Sequence, residues 1–254
     1  MSPAPSEGRA SAGVSTVELM VFTVARLLAG VRHVAVGQSS PIPGAGALLA
    51  RALGETQAEG PMRVTILGSR RNNAFTNGSV ELFDLAAQGR LDAFFLGGGQ
   101  IDGRANINLV GVGSYPQMDV RWSGCFGSSY LYYLVPRVIL FREEHSRRVF
   151  VPRVDFVSAP GPTGLPDYRP GGPHALLTGL CLFGFQRERR RFVLQSVHPG
   201  HTVEEVRDRT GFDFDCPESV PQTPLPDAAT LALIRGRVRD EIAETYPKFA
   251  AEMG

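Results

Sequence analysis

Three short β-type runs, residues 33–37, 62–67 and 91–96, are separated by two stretches, 41–53 and 80–88, whose apolar residues recur at helical spacing. Strands that alternate with helices in this way have no tight hairpin to join them. They therefore lie parallel, in βαβ units that cover both faces of the sheet. A further helix is expected over 17–29, with Glu18 and Arg26 on its polar face and Gly30 placed to end it. Pro41 and Pro43 suit the first turn of the second helix, and Gly89 closes the third. The pattern predicts an α/β fold, an open, mostly parallel sheet with flanking helices.

The strand 91–96 runs directly into Gly97-Gly98-Gly99-Gln100-Ile101-Asp102-Gly103-Arg104-Ala105-Asn106-Ile107-Asn108, so a buried strand opens onto glycines and a tight polar turn. Beyond it the helices thin out. The segments 109–113, 138–142 and 148–157 read as β, and two apolar runs, 176–186 and 191–197, form a hairpin joined at 187–190. Between them, residues 159–173 hold five prolines and four glycines and are expected as a solvated loop. The helical pattern returns over 203–210, stopped by Gly211, and over 227–244. There Leu231, Ile234, Val238 and Ile242 fall on one face, packed on this chain's own core or over a subunit interface.

With 254 residues, 43% of them hydrophobic, the chain has enough apolar surface for one large core, expected over 16–254 behind a disordered, Pro/Ser/Gly/Ala-rich tail at 1–15. A net charge of +1 gives no electrostatic reason to expect nucleic acid or an anionic membrane as a partner. Cys125, Cys181 and Cys216 are odd in number and far apart. They suit a reducing, cytoplasmic compartment and offer no metal-ligand spacing. No apolar run reaches membrane-spanning length.

Two further turns could carry chemistry. Gly37-Gln38-Ser39-Ser40-Pro41 joins a strand to a helix, where free backbone N–H groups can receive a phosphate or carboxylate, although it matches neither nucleotide-loop signature. Trp122-Ser123-Gly124-Cys125-Phe126-Gly127-Ser128-Ser129 is glycine-rich, and aimed backbone N–H groups are the usual means of stabilising a developing oxyanion. Cys125 has no histidine near it in sequence, so a small structural cysteine is the simpler reading. Asp102, Asn106 and Asn108 read as turn formers before catalytic groups.

The run 97–108 resembles the GxxQxD…NxN segment of the β subunit of class I CoA-transferases of the glutaconate CoA-transferase type. Residues 154–161 (VDFVSAPG) and 198–212 (HPGHTVEEVRDRTGF) resemble two later segments of the same subunit in the same order, so the resemblance extends from about Val17 to Ile242. It implies an acyl-CoA thioester as substrate and no permanently bound cofactor. It also implies a homologous α subunit as partner, in an α2β2 or larger assembly with the active site between subunits. Carried over residue by residue, it gives the backbone of Gly127 or Ser128 an oxyanion role, and it places Gln38, Ser39, Ser69, Gly99, Gln100 and Gly124 against substrate or CoA. His198 falls in a stretch that caps a strand and starts a helix, which makes it structural.

The family's transferases carry CoA on a glutamate just after the second strand of the unit. Here that place reads Val64-Thr65-Ile66-Leu67-Gly68-Ser69-Arg70-Arg71, without a carboxylate, and leucine forms no acyl adduct. The resemblance then implies the branch of steroid-ring-opening hydrolases, in which the α subunit supplies the carboxylate. The alternatives are a transferase subunit whose nucleophile comes from its partner, or a non-catalytic partner subunit.

Overall fold

The computed structural model describes residues 9–11, 13–55, 61–164 and 168–253. The elements in chain order begin with β1 (Arg9–Ser11), β2 (Val14–Ser15), α1 (Thr16–Leu27), β3 (His33–Val36), α2 (Pro41–Gly54), β4 (Arg63–Ile66), α3 (Ser79–Ala87) and β5 (Ala93–Leu96). Four short strands follow, β6 (Gln100–Ile101), β7 (Ile107–Asn108), β8 (Gly111–Val112) and β9 (Val120–Arg121), then α4 (Ser128–Leu134) and β10 (Arg137–Arg142). The chain continues with β11 (Pro173–Thr178), β12 (Cys181–Gln186), β13 (Arg191–Val197) and α5 (Val203–Arg209). It closes with α6 (Ala228–Leu233), a π-helical turn (Ile234–Val238), α7 (Arg239–Ile242) and α8 (Pro247–Glu252).

The central sheet has seven strands in the order β13-β12-β11-β10-β5-β3-β4. From β4 to β11 every neighbouring pair is parallel, with Val34 beside Val64 and Val138 beside Phe94, while β12 and β13 are antiparallel additions at one edge. Being covered on both faces, the parallel strands are apolar throughout, and β3 and β5 are buried along their whole length.

One face packs against α1, α2 and the C-terminal helices. Ser15 caps α1 by accepting the Glu18 N–H (3.2 Å), while the Glu18 carboxylate accepts the Ser15 N–H (2.8 Å). The small residues of α2 permit close helix packing, since a Cβ on Gly46 would lie 2.3 Å from Val24 and one on Gly44 would lie 3.1 Å from Ile242. Ile234, Val238 and Ile242 are buried on this face, so the amphipathic stripe packs on the chain's own core. The π-helical turn inserted within the predicted 227–244 helix is a feature the periodicity does not announce. The other face carries α3, α4 and the irregular segments around Ile101, Ile107, Phe150 and Phe212.

Four expectations differ from the structure. The run 176–186 is two strands, because the Thr178 hydroxyl accepts the N–H groups of Leu180 (3.2 Å) and Cys181 (3.1 Å) and folds the chain back at Gly179. Residues 148–157 form no strand and contribute only a bridge between Phe150 and Ile101. The loop at 159–173, whose residues 165–167 lie outside the described residues, is tied down. Buried Arg169 donates to the carbonyls of Gly161 and Pro160 (2.7 Å each) and stacks over Tyr132 and Tyr133. Of the tail expected at 1–15, residues 1–8 and 12 lie outside the described residues, whereas β1 and β2 pair antiparallel.

Candidate active site

The connection after β3 leads to α2 on one face of the sheet, and the connection after β5 leads to the opposite face. Loops that part in this way leave a crevice at the carboxyl ends of the strands, where open α/β sheets bind their ligands. A cleft of about 1140 Å³ lies there. Its walls include Ser39 and Ser40 after β3, Gly97 after β5, Glu143 to Ser146 after β10, Gly179 in the β11–β12 turn, and His201, Glu205 and Arg209 along α5.

Ser39 has a left-handed backbone (φ 58°), which turns the chain sharply from β3 into α2. The turn is braced by Tyr246, whose hydroxyl accepts the Ser40 N–H at 3.3 Å. Gln38 lies alongside Gly68, the first residue past the β4 connection, where a Cβ would sit 3.6 Å from the Gln38 side chain. Next to it, buried Ser69 donates its hydroxyl to Glu244 (2.7 Å) and accepts the Asn72 N–H (2.9 Å), and the Arg70 N–H donates to the other Glu244 oxygen (2.8 Å). The carboxylate at the end of β4 thus comes from the C-terminal helical region. The Ser69 hydroxyl and the Arg70 amide hold it below its ordinary range.

Sequence reasoning missed the ionisable groups at the end of β10. Desolvation raises the Glu143 carboxyl above its ordinary value against the opposing pull of Arg142, although the residue as a whole is exposed. Among the described residues it has no hydrogen-bond partner, unlike Glu144. Desolvation opposes ionisation at Glu144 too, but Ser146 (2.6 Å) and Arg148 hold its carboxyl low. On α5, His201 pairs with Glu205 (2.8 Å) and Glu205 with Arg209 (3.1 Å). The available signal was a charged Arg-Glu-Glu-His run at the end of an apolar strand.

Behind this wall His145 is buried between the hydroxyls of Thr178 (2.8 Å) and Thr210 (2.9 Å). The Thr210 hydroxyl donates to Val206, so it accepts from His145 Nε2–H. His198 lies between Thr223 (2.8 Å) and the Thr178 carbonyl (2.9 Å). Burial pulls His145 down to about 3 and His198 to about 4, and it pushes the Cys181 thiol up to about 12. These groups are neutral and structural, as the sequence suggested for His198.

The remaining sequence candidates lie apart from the cleft. Gly99 is covered by the Trp122 indole, where a Cβ would come within 2.1 Å. Gln100 is buried, with its amide donating to Asp155 (3.1 Å) and accepting from Asn108 (2.8 Å) and the Asp155 N–H (2.9 Å). Asp102 accepts the N–H groups of Arg104 and Asn106, as a turn former should. Gly124 has a positive φ (106°), and Gly127 precedes α4 with Phe83 packed where its Cβ would be. The Ser128 N–H is used by Cys125 O (2.9 Å), and the buried Ser128 hydroxyl has no partner among the described residues. Of the eight site residues named from sequence, only Ser39 lines the cleft.

A family model described as Coenzyme A transferase matches residues 21–209. The chain belongs to that family. Over 153 residues it is 33% identical to the β subunit of 3-oxoadipate CoA-transferase of Pseudomonas knackmussii, covering 58% of each chain. It is 31% identical over 159 residues to the cholesterol ring-cleaving hydrolase IpdB subunit of Rhodococcus jostii, covering 61% of this chain and 62% of that one. The match thus spans less than two thirds of these curated relatives. The solved structure of Rhodococcus jostii RHA1 IpdAB superimposes with a TM-score of 0.76 at 26% identity, over 89% of this chain and 94% of that chain. The expected class I CoA-transferase β-subunit architecture is therefore the observed one. Among the described residues no helix is long and apolar enough to cross a membrane, and no cluster of side chains could hold a metal ion.

Proposed function

We propose that this chain is the β subunit of a cytoplasmic heteromeric enzyme acting on an acyl-CoA thioester, by hydrolytic ring or C–C cleavage of a cyclic-ketone CoA ester. A homologous α subunit supplies the catalytic carboxylate and completes the cleft. The observation that carries this reading is the end of β4. The strand offers Leu67 and Gly68 where a covalent transferase needs a glutamate, and both oxygens of the Glu244 carboxylate brought there are held by Ser69 and Arg70. Glu143 remains as this chain's own desolvated carboxyl in the cleft, suited to hold a proton near neutral pH.

Ser39 and the neighbouring Gln38 and Ser69 are the residues of this chain proposed to meet the substrate. Of the two amides assigned to an oxyanion, only that of Gly127 has no acceptor among the described residues, and the role is confined to it. A glutaconate-type transferase is the second reading, supported by the 33% identity to a CoA-transferase β subunit.

The test is the intact mass of this chain and a co-expressed α subunit after incubation with a panel of acyl-CoA esters, with products followed in the same samples. Water addition to the acyl part without a protein adduct is the expected result. A CoA- or acyl-sized adduct on either chain would replace the hydrolase reading by the transferase one. No product and no adduct across the panel would leave a non-catalytic subunit.

A further inference from the structure

A second concavity, of about 890 Å³, lies on the face of the sheet that carries α3 and α4. It is built against the β12–β13 hairpin. Because β12 runs antiparallel to β11, that hairpin turn sits at the edge of the sheet opposite the cleft. Five arginines line the concavity from three separate segments: Arg104 in the β6–β7 turn, Arg153 after Phe150, and Arg189, Arg190 and Arg191 at the hairpin. In a chain whose net charge is +1, this is a strong local concentration of one sign.

The carboxylates nearby do not neutralise it. Asp102 lines the groove, but its oxygens accept from the Arg104 N–H, the Asn106 N–H and the Asn106 side-chain amide at 3.0, 3.1 and 3.0 Å, so they serve the turn. Asp215 receives both Arg189 (2.7 Å) and Arg191 (3.1 Å), one negative charge shared between two positive ones. Asp213 is the other acidic lining residue. The Arg190 guanidinium is fixed by the Thr163 carbonyl at 2.7 Å, which satisfies one donor and leaves the charge in place. Among the described residues the guanidinium groups of Arg104 and Arg153 have no acceptor at all. Pro152 and exposed Val157 add an apolar side to the groove.

We propose that this groove is a binding site for a small molecule carrying two or more phosphate groups, of the nucleoside phosphate class. Planar guanidinium forks match phosphate oxygens in pairs, and a concave wall of one sign focuses the field on an entering anion. Arginines spread over three segments suit phosphates at separate positions in one ligand, with the apolar side left for a base. The nucleotide end of a CoA thioester and a free nucleotide share this chemistry. The site's position, at the other edge of the sheet from the cleft, makes it distinct from the place of reaction.

The test is calorimetric titration of the full chain with inorganic pyrophosphate, ATP and CoA at low and physiological ionic strength, repeated on R104A/R153A. Both arginines are exposed and unpartnered, so the variant should unfold at the wild-type temperature. Saturable binding that weakens with salt and falls at least roughly tenfold in the variant is the expected result. Loss of CoA binding in the variant would identify the coenzyme's nucleotide end as the ligand. Affinity for ATP and pyrophosphate without CoA would identify a free nucleotide. No saturable binding of any probe at millimolar concentration would overturn the proposal. So would binding that R104A/R153A leaves unchanged. CoA bound equally well by wild type and variant would dismiss this site while leaving the acyl-CoA reading intact.

Discussion

Acidification to about pH 5 should destabilise this protein through two buried histidines, well before its carboxylates begin to titrate. His145 and His198 are folded as neutral rings, at about 3 and about 4, against 6.5 for an accessible imidazole. A second ring proton would leave His145 with two donors facing Thr178 and Thr210, and the Thr178 hydroxyl would have to reverse its role. Because the folded values are lowered, the unfolded chain binds protons first. Stability is therefore complete above about pH 6.5 and is lost as pH falls toward the folded values. Each histidine contributes a slope of about 1.4 kcal/mol per pH unit in that window. At pH 5 the loss is about 2 kcal/mol for each and about 4 kcal/mol for the pair, a large share of a typical domain stability. His33 and His174, also lowered chiefly by burial, act in the same direction. Urea unfolding followed by circular dichroism at half-unit pH steps from about 7.5 to about 5 measures the slope. The variant H145Q/H198Q should start lower but lose stability less steeply, by about 2.7 kcal/mol per unit. A wild-type slope below about 1.4 kcal/mol per unit, or an unchanged slope in the variant, would refute the neutral, buried assignment.

Other consequences can be checked by single substitutions. In G99A the new methyl group would meet the indole of Trp122, the chain's one tryptophan, so its fluorescence should shift and stability should fall by about 1–3 kcal/mol. Asn108 is fully buried and bonds to Gln100, Val110 and Gly111 through four contacts of 2.7 to 3.3 Å. N108A should therefore cost about 3 kcal/mol or more in urea unfolding, because the Gln100 amide loses its partner inside the protein. In G161A the Cβ would lie 1.9 Å from the Arg104 carbonyl, a backbone atom that cannot move aside. That variant should show a clearly lower melting temperature than one at Gly54, where nothing lies within 4 Å.

The sheet was legible in the sequence because parallel strands buried on both faces must be apolar along their length and must alternate with helices. The runs 33–37, 62–67 and 91–96 met those demands, and β3, β4 and β5 fall within them. Capping signals worked for the same local reason, as Ser15 with Glu18 and Gly30 past α1 show. Local pattern failed where a distant group decides the conformation. The run 176–186 is continuous in hydrophobicity, yet it breaks at Gly179, whose Cβ would lie 2.5 Å from the Glu143 carbonyl. The loop at 159–173 looks solvated until Arg169 is placed over Tyr132 and Tyr133.

The sequence by itself determined the class of fold, the order of its elements and, through Leu67 and its neighbours, that β4 ends without a carboxylate of its own. All of these are properties of residues near one another in the chain. Only the tertiary structure decided which groups share the crevice. It brought Glu244 across 175 positions to Ser69, set Glu143 and the His201–Glu205 pair around Ser39, and withdrew Gln100 and Gly99 into structural roles. Burial and hydrogen bonding across the sheet fix those roles, and neither is written in the spacing of residues along the chain.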